Sequence, residues 1–154
     1  MNERRVKIVP AVYLVLLKKN KALLSRRFQT GYEDGKWSLI AGHLNGKETL
    51  RQAMIREAKE EADIVVKEKD LRVAHLMHRF EKKDPVSLRE RIDVFFACPQ
   101  WTGKIKNMEP KKCDSLAWFN INNLPKNTIP CVKQALGCVK KKIFYSEFGW
   151  DKKR

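Results

Sequence analysis

Apolar residues fall in short runs separated by charged or glycine-bearing segments. The first run, Val9-Pro10-Ala11-Val12-Tyr13-Leu14-Val15-Leu16-Leu17, is unbroken by charge, which predicts a buried strand. A strand from about Ile8 to Leu17, a polar turn at Lys18 to Lys21 and a return over Ala22 to Arg26 read as a hairpin. Gln29 to Gly35 is punctuated by glycine and acid and reads as a loop, and Trp37 to Ile40 as a short strand leading to Gly42. From Thr49 to Ala62 the period becomes helical, with Thr49 as N-cap and Gln52 completing a capping box. Leu71 to Phe80 and Arg91 to Cys98 are predicted strands, the second ended by Pro99 and Gly103. Asn107 to Asp114 is a polar loop before a short strand, Leu116 to Phe119. Pro130 suits the first turn of a closing helix that runs to about Ile143. The expected fold class is α/β (α+β), a mixed sheet with helices packed on it.

Composition narrows the reading. A chain of 154 residues has room for one domain, expected to span 1–154 with its core over about 6–140 and a basic tail at 141–154. Hydrophobic and charged shares of 43% and 33% exclude a disordered chain. The first apolar run is too short to span a bilayer, and Lys18 to Lys21 offer no small-residue cleavage site, so no membrane partner is expected. Cys98, Cys113, Cys131 and Cys138 lack paired zinc-ligand spacing, and His43, His75 and His78 do not complete one. Four reduced, mostly buried thiols and a cytoplasmic location are the expectation. A net charge of +15 favours phosphorylated partners, either small molecules or RNA; a lysine-rich solvated surface is the plain alternative. Lys140-Lys141-Lys142 and Lys152-Lys153-Arg154 read as helix-end and tail charges.

The chemistry-bearing segment is Gly42-His43-Leu44-Asn45-Gly46-Lys47-Glu48, seven residues, then Arg56-Glu57-Ala58-Lys59-Glu60-Glu61-Ala62-Asp63-Ile64. At helical spacing Glu57, Glu60 and Glu61 share an arc of about 100°. Three carboxylates so close repel one another, and hard oxygen donors in that number suit magnesium or manganese. Ile55, Ala58 and Ala62 form the neighbouring stripe, placing the carboxylates at the seam between core and solvent. A bare Glu-x-x-Glu-Glu is usually only a solvated helix face; the spacing of the whole segment decides.

That spacing resembles the Nudix box, Gly-x5-Glu-x7-Arg-Glu-U-x-Glu-Glu-x-Gly-U with U aliphatic. Gly42, Glu48, Arg56, Glu57, Glu60 and Glu61 agree, a coincidence of about 10⁻⁸ at one start if residues are equally probable. Asp63 stands where the box has its late glycine, which puts the helix end in question. Leu23-Leu24-Ser25-Arg26, Trp37 to Gly42 and Leu116 to Phe119 also look like Nudix landmarks. The resemblance implies an α/β/α sandwich with a mixed sheet between helices, and a magnesium-dependent hydrolase, with manganese as a substitute, cutting a diphosphate linkage in a nucleotide-like substrate. It implies Glu57, Glu60, Glu61 and the Ala41 carbonyl as metal ligands. Arg56 and Glu48 would steady them, Gly42 would permit a sharp turn and close backbone approach, and Glu109 is a candidate general base. A homodimer is common among similar proteins.

The substrate is less legible. The proline and tyrosine that mark ADP-ribose and dinucleoside polyphosphate hydrolases, about fifteen and seventeen positions past the box, are Arg79 and Glu81 here. A MutT-like nucleoside triphosphate pyrophosphohydrolase is left by elimination; an RNA 5′-end (cap or triphosphate) hydrolase and a non-enzymatic nucleotide-sensing module are the alternatives. Arg26, in preference to Arg27, is a candidate phosphate contact, and His43 and Arg79 are candidate substrate contacts. Trp37, Phe28 and Tyr32 are candidates to stack on a base, though aromatics at strand ends are more often core or rim. His78-Arg79 and Arg91-Asp93 alternate on presumed central strands, so either substrate or internal salt bridges must satisfy them.

Overall fold

A computed structural model describes residues 5–150. The elements run β1 (Val9–Val15), β2 (Leu17–Lys18), β3 (Lys21–Arg27), β4 (Trp37–Ser38), β5 (Ile40–His43), α1 (Leu50–Ala62), β6 (Arg72–Phe80), β7 (Glu90–Ala97), β8 (Cys113–Asn120), α2 (Pro130–Lys140) and β9 (Tyr145–Phe148). The expected mixed sheet is five-stranded, in the order β5-β1-β7-β6-β9, with β1 parallel to β7 and β6 parallel to β9. A second, antiparallel sheet gathers β2, β3, β4 and β8, with β8 following β3 along its whole length.

Alternation along β1 explains the uninterrupted apolar run. Val12 and Leu14 pack with Ala53, Met54, Ala58 and Ala62 of α1, while Ala11, Tyr13 and Val15 pack with Cys131, Val132, Ala135 and Leu136 of α2. Both faces of the strand are buried, so neither face needs a polar residue. The α/β/α arrangement follows directly.

The predicted hairpin is corrected in one respect. The chain breaks at Leu16, β1 pairs with β5 and β7, and only β2 returns on β3. The turn is Lys19-Asn20, both at positive φ (47° and 63°), as a two-residue hairpin turn requires. Helix α1 begins as expected, with Thr49 accepting from the Gln52 amide and Gln52 from the Thr49 amide. Its end is held by Asp63 at φ 55°, ψ 28°, so aspartate adopts the left-handed conformation that the glycine would supply. Lys59 pairs with the Asp63 carboxylate.

The reading of 141–154 as a basic tail is also corrected. Residues 145–148 form an edge strand beside β6, because His75, fully buried, bonds the Ile143 carbonyl and the Ser146 hydroxyl at 2.8 Å each. Trp150 closes the edge by donating to the His78 carbonyl at 3.0 Å. Lys152, Lys153 and Arg154 lie outside the described residues. Among the described residues all four cysteines are free thiols, and no helix is long and apolar enough to cross a membrane.

Candidate active site

Gly42 lies in β5 beside the middle of α1. A Cβ there would lie 1.9 Å from Glu57 Oε1, so the missing side chain is the space that the Glu57 carboxylate occupies. Arg56 fixes this junction. Its Nη1 donates to Glu57 Oε1 at 2.7 Å and to Glu60 Oε2 at 3.3 Å, its Nη2 to Glu48 Oε1 at 2.8 Å and the His43 carbonyl at 3.1 Å, and its Nε to Glu48 Oε2 at 3.1 Å. Glu48 also accepts from the Asn45 amide at 2.7 Å. One guanidinium thus ties the 43–48 loop to the helix. The Arg56 guanidinium first, and the Asn45 amide second, hold the Glu48 carboxyl below its usual range.

Glu61 is differently placed. Burial, with Glu57 and Glu109 adding repulsion, pushes its carboxyl up to about 8, against the opposing Ala41 amide and Arg27. Burial also raises Glu57 despite its bond to Arg56. Glu109 reaches the group from a loop that is hydrogen-bonded to the end of α1: the Lys106 and Met108 amides donate to the carbonyls of Ala62 and Glu61 at 3.0 and 3.1 Å. Lys112 Nζ stands 3.5 Å from the Glu109 carboxylate.

A cleft of about 770 Å³ collects these groups with Ala41, Gly42, His43, Arg27, Tyr32, Arg79, Arg91 and Lys112. Among the described residues no three His, Cys, Asp or Glu side chains are already gathered at ligand distance, because Arg56 draws Glu57 and Glu60 to itself. The donor set still fits a hard divalent cation. Glu57, Glu61 and Glu109 supply oxygens alone, and among the described residues no salt bridge is made by the half-buried Glu61.

Two expected contacts lie elsewhere. Arg26 points to the opposite face of β3 from Arg27, pairs with Asp114 at 2.7 Å and stands over the Trp37 ring at 5.5 Å. Trp37 is 8% exposed and packs edge-on against Phe119 at 4.6 Å, so it belongs to the core. Phe28 lies outside the cleft lining too, leaving Tyr32 as the stacking candidate on that loop. Strand alternation puts Ser25 and Arg27 on the cleft side. Arg27 donates to neutral acceptors, the Tyr32 carbonyl at 2.7 Å and the Thr30 hydroxyl at 3.0 Å, and lies 5.3 Å from the Tyr32 ring. Among the described residues no carboxylate is bonded to Arg27, and its charge faces the cleft.

Arg79 and Arg91 have internal partners. Arg79 Nε donates to Asp93 Oδ2 at 2.6 Å and Nη2 approaches the Tyr13 hydroxyl at 3.4 Å. Arg91 pairs with Asp84 and bonds His43 Nε2 at 3.1 Å. Burial, then Arg91, lowers His43. Lys112, Lys83 and Asp84 escaped the sequence reading, since an isolated charge in a polar loop carries no local signal.

A family model described as NUDIX domain matches residues 7–136. The chain is 28% identical over 128 residues to an ADP-ribose pyrophosphatase of Methanocaldococcus jannaschii, covering 82% of this chain and 71% of that protein. It is 28% identical over 119 residues to an NAD-capped RNA hydrolase, NudC, of Vibrio cholerae, covering 77% of this chain and 40% of the relative. The chain therefore spans less than half of that relative. Among solved structures, a MutT NUDIX hydrolase from Burkholderia pseudomallei superposes with a TM-score of 0.77 at 19% identity, over 86% of this chain and 98% of the other. A MutT protein from Methanosarcina mazei gives 0.73 at 19% identity, over 90% and 98%.

Proposed function

The chain belongs to the Nudix family of hydrolases, and from that premise we propose that it cuts a diphosphate linkage in a nucleoside diphosphate-linked compound, as a MutT-like nucleoside triphosphate pyrophosphohydrolase. The observation that carries this reading is the half-buried Glu61 carboxyl, which shares one cleft with Glu57, Glu60 and Glu109 and feels the charge of Glu57 and Glu109, while the side-chain-free Gly42 leaves room for Glu57. Such a group is costly to ionise alone and is relieved by a cation.

Glu57, Glu60, Glu61 and the Ala41 carbonyl would hold magnesium or manganese. A bound divalent ion supplies neutralisation of phosphate charge and a more acidic attacking water. The chain's own residues do the rest. Arg56 holds Glu57 and Glu60 in register with the loop, Glu48 fixes Arg56, and Arg27 attracts the phosphate chain. Glu109, which lines the same cleft, would take a proton from water attacking the bridging phosphorus.

A second reading follows from the relative named an ADP-ribose pyrophosphatase: a nucleotide sugar in place of a triphosphate. A screen of nucleoside triphosphates, ADP-ribose, NAD and capped RNA with Mg²⁺ separates them. The triphosphate reading expects a monophosphate and pyrophosphate. Orthophosphate alone, or turnover confined to ADP-ribose or capped RNA, overturns it. Activity retained in Glu60→Gln and Glu61→Gln together would revive the non-enzymatic alternative for this site.

A further inference from the structure

The cleft has a second cluster that the diphosphate chemistry leaves unused. Arg79 is 2% exposed, yet it lines the cleft. Its Nε is taken by Asp93, its Nη2 faces Tyr13 and the Tyr32 side chain also stands against the guanidinium, but Nη1 is buried with no hydrogen-bond partner among the described residues. A guanidinium N–H withdrawn from water without an acceptor is costly to keep.

Charge and distance say what the missing acceptor is. Asp93 neutralises Arg79 and Asp84 neutralises Arg91, so this cluster offers an anion no surplus positive charge. Arg27, which has no bonded carboxylate among the described residues, stands near Glu61 instead. Arg79 pairs with Arg91 and Arg91 with Val9, whereas Ala41 pairs with Tyr13 further along β1, so three strand spacings, about 14 Å, separate the backbones of β6 and β5 and the two ends of the cleft are also offset along the strands. Tyr13 and Tyr32 add aromatic surface.

We propose that Arg79 reads the substrate's heterocycle: its Nη1 donates to a neutral carbonyl oxygen on the ring, selecting guanine, hypoxanthine or uracil over adenine. This rests on the nucleotide-hydrolase reading above. The ring reaches Nη1 past Tyr32, which sits on the loop between β3 and β4 and not on the sheet. A site holding one buried donor discriminates against a ring that lacks the matching acceptor, since the donor is then left unpaired.

The test compares inosine triphosphate with purine riboside triphosphate, which lacks the ring oxygen, and GTP and UTP with ATP, in the unaltered enzyme with Mg²⁺. The expected result is a kcat/KM at least about tenfold higher for each carbonyl-bearing substrate. In Arg79→Lys, checked for its unfolding temperature, the ratio of kcat/KM between inosine and purine riboside triphosphates falls below about threefold. Equal rates for inosine and purine riboside triphosphates in the unaltered enzyme overturn the proposal and leave the hydrolase reading standing. If no triphosphate is cleaved, calorimetric binding of the matching monophosphates decides: tighter inosine monophosphate binding supports Arg79's role and fails only the function, whereas equal binding fails both. Should Arg79→Lys not fold, the substrate comparison alone decides.

Discussion

Gly42 lacks a side chain for a steric reason that can be tested separately from charge. In Gly42→Ala the new methyl lands on the far end of the flexible Glu57 side chain, which can swing away cheaply. We expect hydrolysis to fall at least about a hundredfold, because a misplacement of about 1 Å at a reacting centre costs that much. The unfolding temperature should move by no more than about 3 °C; a large drop would show that the glycine serves the fold instead. Glu61 makes the opposite trade, stability given up for chemistry. Its carboxyl rises from an ordinary value near 4.5 to about 8 on folding, so folding takes up a proton between those values. A raised acid in the folded state means that metal-free stability falls as pH increases through that window. Glu61→Gln, which keeps the shape and removes the charge, should raise the metal-free unfolding temperature at pH 8 by about 2–8 °C, for roughly 1–2 kcal/mol. It should also abolish the gain that Mg²⁺ gives the unaltered protein. A mutant no more stable than its parent at pH 8 would show that the carboxyl is comfortably solvated.

Whether an element was legible depended on how local its cause is. Helix α1 was readable to the residue, since the capping box of Thr49 and Gln52 acts within one turn. So was the gathering of Gly42, Glu48, Arg56, Glu57, Glu60 and Glu61, because one loop and one helix carry it. Glu109 was legible only through resemblance: its approach depends on hydrogen bonds from Lys106 and Met108 to the end of α1, across more than forty positions. Which of Arg26 and Arg27 faces the cleft was hidden from the sequence for another reason. Period-two alternation fixes only that the two point apart, and the pairing of β3 with β8, including its shift between those residues, decides which faces the cleft. Strand β9 was missed because its partner is the distant β6, whose His75 donates to the Ile143 carbonyl, and Lys140 to Lys142 look like an ending. That strand gives an element-scale prediction. Gly149 sits at φ 80°, and a Cβ there would come within 1.9 Å of the Phe80 carbonyl oxygen, a backbone atom that cannot yield. Gly149→Ala should therefore cost about 1–3 kcal/mol and loosen Trp150 from the His78 carbonyl. A red-shifted, more quenchable tryptophan emission, with α1 helicity unchanged, is the expected signature; an unchanged spectrum and unfolding temperature would show that the strand bears no load.

At the scale of the whole molecule, a charge of +15 surrounds a cleft that holds four glutamates. These opposite signs do different things. On the proposed function the carboxylates would act at contact distance on a cation, where added salt screens weakly, while Arg27, Lys83 and Lys112, which face the cleft from more solvated positions, would act on the approaching phosphates. The net field should therefore appear in capture of the substrate and not in the chemical step. Raising KCl from about 50 to about 300 mM at saturating Mg²⁺ is expected to raise KM for a triphosphate several-fold while kcat stays within about a factor of two. Arg27→Gln should reduce that salt slope more than the same change at Arg26, whose charge is committed to Asp114. A flat KM would mean that the basic residues are only a solvated coat. A slope several times steeper for capped RNA than for a free triphosphate would instead mean that the surface tracks a nucleic-acid backbone, because each additional phosphate neutralised by the protein adds to the counterions released.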